Sequence, residues 1–498
     1  MYLLGIDIGT SGTKSVLFDE LGNSVASDTQ EYPLYQPQIG WAEQDPEDWW
    51  RAVYTSISNL IAKTGVKDIA AVGLSGQMHG LVLLDKNDIV LRNAIIWCDG
   101  RTQKECDEIT SIIGAERLIE ITANPALTGF TASKIRWVQN NEPEIYEKVA
   151  KIMLPKDYIR YKLTGEFATE VSDASGMQLM NIAERNWSDV VLQKLEIDKG
   201  LLGKMYESQE VTGMVSESAS KLTSLKAGTA VVGGAGDQAA SALGNGIVKD
   251  GIVSSTIGTS GVVFASQNDI SIDKLGRVHT FCHAVPNMWH VMGVTQGAGL
   301  SLKWFRDNFC NDEVNVAHYM GIDPYILMDK IAEKVQPQCE GVIYLPYLMG
   351  ERTPHLDPYA KGVFFGLSAR HTRAHLLRAV MEGVVFSLKD CFEIIKNMNI
   401  GVDQIRASGG GGKSKLWRQM QADILQTDVV TTNSTEGGAL GVAILAGVGV
   451  RLFDSVEQAC ENLIKINETQ KPTENTYDAN YSKYKKLYPA LKGLFKEE

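Results

Sequence analysis

The chain has 498 residues, 44% of them apolar and 22% charged, with a net charge of −12 and a pI near 5.3. That length exceeds one ordinary core and predicts two domains. The acidic balance argues against nucleic acid as a partner, since nonspecific binding rests on clustered Lys and Arg. No apolar run reaches the roughly 18 residues of a membrane span, so no membrane partner is expected. The seven cysteines are scattered, odd in number and never in C-x-x-C spacing, which argues against a disulfide framework or a structural zinc. Met1-Tyr2-Leu3-Leu4 leads straight into a strand-like segment with no basic leader, and the cytoplasm is the expected compartment.

The first 27 residues read as strand, Gly-rich turn, strand, a second turn at Leu21-Gly22-Asn23, and strand. Pro46 to Ile61 is predicted helical, with Trp50, Val53, Ile57 and Ile61 at three- and four-residue spacing. A short buried-type strand follows at Ile69–Leu74, and strands then alternate with helices, which favours an α/β architecture. A boundary falls between Gly244 and Asp250 and divides the chain into 1–246 and 247–498. The second half repeats the order of the first. A hairpin lies around Ile257–Phe264 and a helix near Leu300–Phe309. A long helix carries Leu376, Val380, Val384 and Leu388 on one face. Strand Gln404–Ser408 then runs through four glycines into a helix with Leu416, Met420 and Ile424. The last 45 or so residues are expected to be surface helices.

Ile8-Gly9-Thr10-Ser11-Gly12 recurs half a chain length later as Ile257-Gly258-Thr259-Ser260-Gly261. Each copy sits where an apolar run meets a tight turn. Such a turn can aim backbone N–H groups and the Thr and Ser hydroxyls at an anion, although one copy alone could be a plain hairpin. Two copies predict two related domains, each offering a phosphate loop to a shared cleft. Thr10, Ser11, Gly12, Gly258 and Thr259 are therefore candidate nucleotide contacts. Asp7, at the end of the first strand, is placed to hold hydrated Mg²⁺. Gly409–Ser414 is not a Walker A loop, because the required upstream glycine is Ala407. A strand, Gly turn and helix still suit a nucleotide. No dinucleotide fingerprint and no G-x-S-x-G motif is present.

Val231-Val232-Gly233-Gly234-Ala235-Gly236-Asp237-Gln238 is an apolar strand, a Gly cluster and one acid ahead of a helix start. Phosphoryl transfer to an alcohol needs a base aligned with the hydroxyl, and Asp237 is the best candidate, with an N-cap aspartate as the structural alternative. Gln77 and His79 follow a strand and can hydrogen-bond a substrate. Trp97, Asp99 and Arg101 combine an aromatic face with charge, which suits a polyol as well as a surface ion pair. Gly350-Glu351-Arg352-Thr353-Pro354-His355 is either a lid or a packed loop.

Two longer runs carry a resemblance. One is Gly129–Asn141. The other starts at Gly362-Val363-Phe364-Phe365-Gly366-Leu367 and resumes at His375-Leu376 and Ala379-Val380-Met381-Glu382. With the two loops and Gly233–Asp237, they resemble the signatures of the FGGY carbohydrate kinases. The resemblance implies an α/β fold of two related actin/Hsp70-like (ribonuclease H-like) domains around a central interdomain cleft. Residues 75–80, 95–102, 154–176 and 350–355 are similar to the xylulokinase branch. What this implies is transfer of a phosphoryl group from ATP, with Mg²⁺, to a ketopentose, foremost O5 of D-xylulose. Asp237 would be the general base, and Asp7 and Asp237 would hold the metal. Met78, His79, Asp237 and Gln238 would contact the sugar. Thr13, Thr259, Gly299, Lys303, Gly410, Gly411 and Ser414 would line the nucleotide site. Gln238 and Cys98 depart from the Asn found at those positions in relatives, and both lie near the expected sugar. The apolar helices of the second half are compatible with a homodimer. The competing readings are a kinase for ribulose, gluconate or another sugar, and a nucleotide-driven chaperone or filament protein on the same core.

Overall fold

The computed structural model describes residues 1–474 and 476–496. Two seven-stranded sheets are built to one plan. In the first, Tyr2–Ile8 pairs antiparallel with Gly12–Asp19, which pairs antiparallel with Ser24–Glu31. On its other side Tyr2–Ile8 runs parallel to Ile69–Gly76, which in turn runs parallel to Ala230–Val232. In the second, Gly251–Ile257 pairs antiparallel with Gly261–Gln267, and that strand with Trp289–Thr295. Gly251–Ile257 also runs parallel to Val402–Ser408, itself parallel to Asp428–Thr432. The repeated five-residue run thus closes the same hairpin in both sheets, through Ile8↔Thr13 and Ile257↔Gly261. This is the two-domain actin/Hsp70-like α/β architecture.

Parallel strands collect their carboxyl ends on one edge, and open α/β sheets bind ligands there. Gly76 lies beside Ile8, and Ser408 beside Thr256. Each hairpin therefore meets the end of its parallel neighbour, where Gln77-Met78-His79 and the four-glycine turn begin.

Helix Pro46–Thr64 follows from its caps and its apolar stripe. Asp45 accepts from the Glu47 amide, Pro46 occupies the first turn and Gly65 closes the end in a left-handed conformation. Trp49, Val53, Ile57, Leu60 and Ile61 are buried with Leu4, Ile6 and Leu17 of the first sheet. Helix Arg373–Asn397 does the same for the second half, burying Leu377, Val380, Val384 and Leu388.

Helix Gly437–Gly449 joins the halves. It is apolar all round and lies against helix Asp237–Gly244 and against strands Tyr2–Ile8 and Ile69–Gly76 of the first sheet. Only glycine allows this approach. A Cβ on Gly5 or Gly73 would overlap the carbonyl of Ala439 or Val442.

The C-terminal segment corrects the expectation of surface helices. Ile466–Gln470 is the antiparallel edge strand of the second sheet. Helix Asp478–Leu491 buries Tyr481, Tyr484, Leu487 and Tyr488. Tyr481 donates to Asp390 at 2.6 Å and Tyr484 meets Tyr347 at 2.9 Å. The intervening lysines hide a helical aromatic stripe in the sequence.

Candidate active site

Asp237 is the first residue of helix Asp237–Gly244, and Gly236 is its N-cap, so the carboxyl is not spent on capping. Burial, and then the neighbouring charge of Asp7, push its pKa up to about 7. The residue keeps partial solvent access, which leaves a route for a ligand. Asp7 is also raised, mainly by burial, with Ser75 and Lys14 acting in the opposite sense. Two buried carboxyls, one raised by the charge of the other, suit proton acceptance or cation binding.

Asp7 Oδ1, Thr13 Oγ1 and Ser75 Oγ are buried without a well-aligned hydrogen bond, although Ser75 lies beside Asp7 and Thr13 beside Tyr32. Unsatisfied oxygen donors of this kind fit a hard cation such as Mg²⁺, which takes one or two carboxylates and completes its shell with water and phosphate. Among the described residues no cluster of three or more His, Cys, Asp or Glu is placed to hold a metal. Lys14, which sequence reasoning did not single out, pairs with Glu436 across the two halves.

Met78 and His79 occupy the end of strand Ile69–Gly76. Met78 is buried against Gly236, directly before Asp237. His79 has φ +70°, an unusual conformation for a side chain with a Cβ. Its backbone is held by Lys134 Nζ and Thr131 Oγ1, which donate to its carbonyl at 3.0 and 3.1 Å. Burial drives the His79 pKa down to about 3, so the ring is neutral. Nδ1 lies 2.8 Å from the Gly176 carbonyl, which only accepts. The proton is therefore on Nδ1, and Nε2 remains an acceptor for a hydroxyl. Phe130 and Phe281, one from each half, wall the ring at centroid distances of 4.8 and 6.3 Å.

Trp97 is half exposed and donates from Nε1 to Thr10 Oγ1 at 2.9 Å, which ties it to the first hairpin. Gln44 donates to the Thr10 carbonyl at 2.7 Å. Ser11 is exposed at the tip, and Gly12 and Thr13 begin the returning strand. Asp99 and Arg101, expected to meet the substrate, serve packing instead. Asp99 is 1% exposed and accepts from Arg101 Nε and Nη2 and from the Ala42 amide at 2.6 Å. Arg101 stacks on Trp41 at 3.6 Å and pairs with Glu43 at 2.8 Å. Both side chains are thus turned toward Trp41, Ala42 and Glu43 inside the fold.

On the second sheet, Gly258, Thr259, Gly299, Lys303, Gly410, Gly411 and Ser414 all line one cavity of about 410 Å³. Three elements make it. The hairpin loop supplies 257–259. Helix Gly299–Phe309 is fastened to that loop by the Gly299 and Leu300 amides, which donate to the carbonyls of Gly258 and Thr259 at 2.8 and 3.0 Å. The turn 409–414 completes the wall, with Gly409 at φ +72° and Ser414 capping helix Lys415–Leu425. Tyr325, Ile326, Leu302 and Trp417 add an apolar wall. Sequence reasoning missed these four. Asp323-Pro324 signals a helix start, but nothing local says that the helix faces a ligand.

Two hairpin loops on twin sheets, a cavity on one side and a raised carboxyl pair on the other, define a phosphotransferase of the actin/Hsp70-like class. The chain belongs to the FGGY family of carbohydrate kinases: residues 2–244 match its N-terminal domain and residues 253–450 its C-terminal domain. It is 38% identical to the xylulose kinase of Bacillus subtilis (strain 168), over 99% of this chain and 96% of that protein. It is 34% identical to a gluconokinase of Bacillus licheniformis, over 99% of this chain and 95% of the other. The crystal structure of a xyloylose kinase from Brucella ovis superposes with a TM-score of 0.91 at 36% identity, covering 99% of this chain and 100% of that one. The enzyme is a carbohydrate kinase, and no helix among its described residues is long and apolar enough to cross a membrane.

Proposed function

We propose that the enzyme transfers the γ-phosphoryl group of ATP to O5 of D-xylulose, yielding D-xylulose 5-phosphate. The observation that carries the reading is the Asp237 carboxyl, raised to about 7 beside Asp7 and still open to a ligand. A base with a pKa near the working pH is well matched to accept a hydroxyl proton as the oxygen attacks. Met78, the acceptor Nε2 of His79, and Gln238 would hold the sugar, with Trp97 at the rim. The cavity on the second sheet would take the nucleotide. Its apolar wall suits the base, and the loops at Gly258-Thr259 and Thr10–Thr13 suit the phosphates. Asp7 and Asp237 would hold Mg²⁺, which when bound neutralises charge on the phosphates. The units 1–246 and 247–498 would divide the work between sugar and nucleotide.

The xylulose kinase relatives support the acceptor, and the gluconokinase relative keeps a sugar acid as the second reading. Initial rates with ATP and Mg²⁺ over D-xylulose, D-ribulose, L-ribulose, glycerol and D-gluconate decide between them. The highest kcat/KM is expected for D-xylulose. A higher value for any other acceptor replaces the assignment. ADP release that ignores the acceptor altogether points to an ATPase instead.

A further inference from the structure

The turn at Gly350–His355 has no role in the reading above, yet it is among the most firmly anchored in the second half. Glu351 is 4% exposed, and its carboxylate accepts from Thr295 Oγ1 at 2.7 Å, the Gln296 amide at 2.9 Å and the Arg352 amide at 2.7 Å. The Thr353 amide donates to the Val294 carbonyl at 2.9 Å, and its hydroxyl donates to the Arg277 carbonyl at 2.8 Å. Arg352 is thus gripped on both sides by strand Trp289–Thr295 and its continuation.

Its side chain has no comparable partner. Among the described residues the Arg352 guanidinium makes no hydrogen bond or ion pair, although burial depresses its pKa. Arginines enclosed elsewhere in the fold have a carboxylate partner: Arg101 with Asp99, Arg160 with Asp157, Arg378 with Glu382 and Arg418 with Glu468. Arg352 keeps partial solvent access, so its donors can be hydrated in the free enzyme and stay available to a ligand's acceptor oxygens. Its electrostatic neighbours are Glu351, which already accepts three hydrogen bonds, and the neutral rings of His79 and His279. Asp237 responds instead to Asp7. Thr353, the next residue, bonds Val294, which packs with Phe130 and Phe281, the two rings that wall His79, so the Arg352 turn borders the site from the His79 side.

We infer that Arg352 reads the oxidised end of the acceptor, its planar fork donating to the C2 carbonyl oxygen of a ketose and, more strongly, to the carboxylate of an aldonic acid. This rests on the sugar site proposed above and adds a specificity residue to it from the second half of the chain. Guanidinium geometry fits two acceptor oxygens side by side, and a carboxylate adds charge. A polyol of the same length presents only a hydroxyl at that carbon.

The test compares D-xylulose with D-arabinitol, its C2-reduced counterpart, in the wild-type enzyme, Arg352→Met and Arg352→Lys. A site built around a hydrogen bond to one oxygen rejects the analogue that presents it poorly, so the wild type is expected to favour the ketose by about 100-fold or more in kcat/KM. Arg352→Met should lose about 30-fold or more on D-xylulose and under about threefold on D-arabinitol, collapsing that preference, with Arg352→Lys in between. Calorimetry should show D-xylonate binding to the wild type and not to Arg352→Met, while Tm and ATP binding stay unchanged. An undiminished ketose preference in Arg352→Met, equal losses on both acceptors, or retained D-xylonate binding each overturns the inference. Weak turnover of D-xylulose by the wild type sinks the acceptor assignment alone. The Arg352 comparison is then read on the best ketose of the panel and its polyol, and a wild type indifferent to the carbonyl refutes it.

Discussion

At the residue scale the enzyme is a problem of desolvated charge. Asp237 is raised by burial and by Asp7, so the fraction competent as a base grows with pH. The acid limb of kcat/KM is expected near pH 7, with activity lost as pH falls through it. Added Mg²⁺ should move that limb to lower pH, because a cation beside a carboxylate favours its charged form. A limb at the ordinary aspartate value near pH 4, unmoved by Mg²⁺, contradicts the assignment. Asp237→Asn keeps shape and removes the base, so turnover should fall by about 10²–10⁴ while sugar binding persists. Near-normal turnover in a coupled ADP assay removes Asp237 from the chemistry. Asp237 was legible in the sequence because a lone acid after a Gly cluster at a strand end is a local pattern. Asp99 and Arg101 show the limit of such patterns. Their spacing is just as suggestive, but Trp41, Ala42 and Glu43, which absorb them, lie more than fifty residues away in the chain.

At the element scale two glycines separate folding from binding. Gly73 lies under helix Gly437–Gly449 with no room for a Cβ. Gly73→Ala is expected to cost about 1–3 kcal/mol by overpacking, lowering Tm by roughly 2–10 °C. Gly410 is the opposite case. A Cβ there meets nothing closer than the Ile257 carbonyl at 3.9 Å, yet the residue lines the nucleotide cavity. Gly410→Val should therefore leave Tm within about 2 °C and raise the KM for ATP by roughly tenfold or more, since only a ligand needs that space. Thermal melts and ATP titrations of the two variants should show opposite profiles. An unchanged ATP KM in Gly410→Val would remove the turn from the nucleotide site. The hairpins, the helix at Pro46 and the long helix at Arg373 were readable from caps, turns and apolar spacing. The C-terminal tyrosine helix was not, because its charged face dominates the composition.

At the scale of the whole molecule the halves are similar in plan but not independent. Helix Gly437–Gly449 belongs to the second half by sequence and covers the sheet of the first, together with Leu3, Val16, Ala71 and Val232. Cys282 donates its amide to Ser175 at 3.0 Å, and Asn124 donates to the Thr280 carbonyl at 3.0 Å, so the contact continues along the other flank. Residues 1–246 expressed alone should consequently expose an apolar sheet face and aggregate or digest rapidly. Co-expression with 247–498 should restore a protease-resistant complex of native size on gel filtration. A stable, monomeric 1–246 fragment would show that this helix is dispensable for the first sheet.

The amino-acid order alone settled what depends on neighbours in the chain: two Gly-Thr-Ser hairpins, the acid at a strand end, and the alternation of strands and helices around them. Local backbone chemistry acts over a few residues and leaves a local trace. The tertiary structure decided which charged groups lose water and which find partners. It set Asp99 and Arg101 against each other, gave the Arg352 guanidinium no hydrogen-bond partner among the described residues, placed Tyr325 and Trp417 on a cavity wall, and laid a helix of one half across the sheet of the other. Burial and electrostatic coupling are sums over residues far apart in sequence, and only the folded chain adds them.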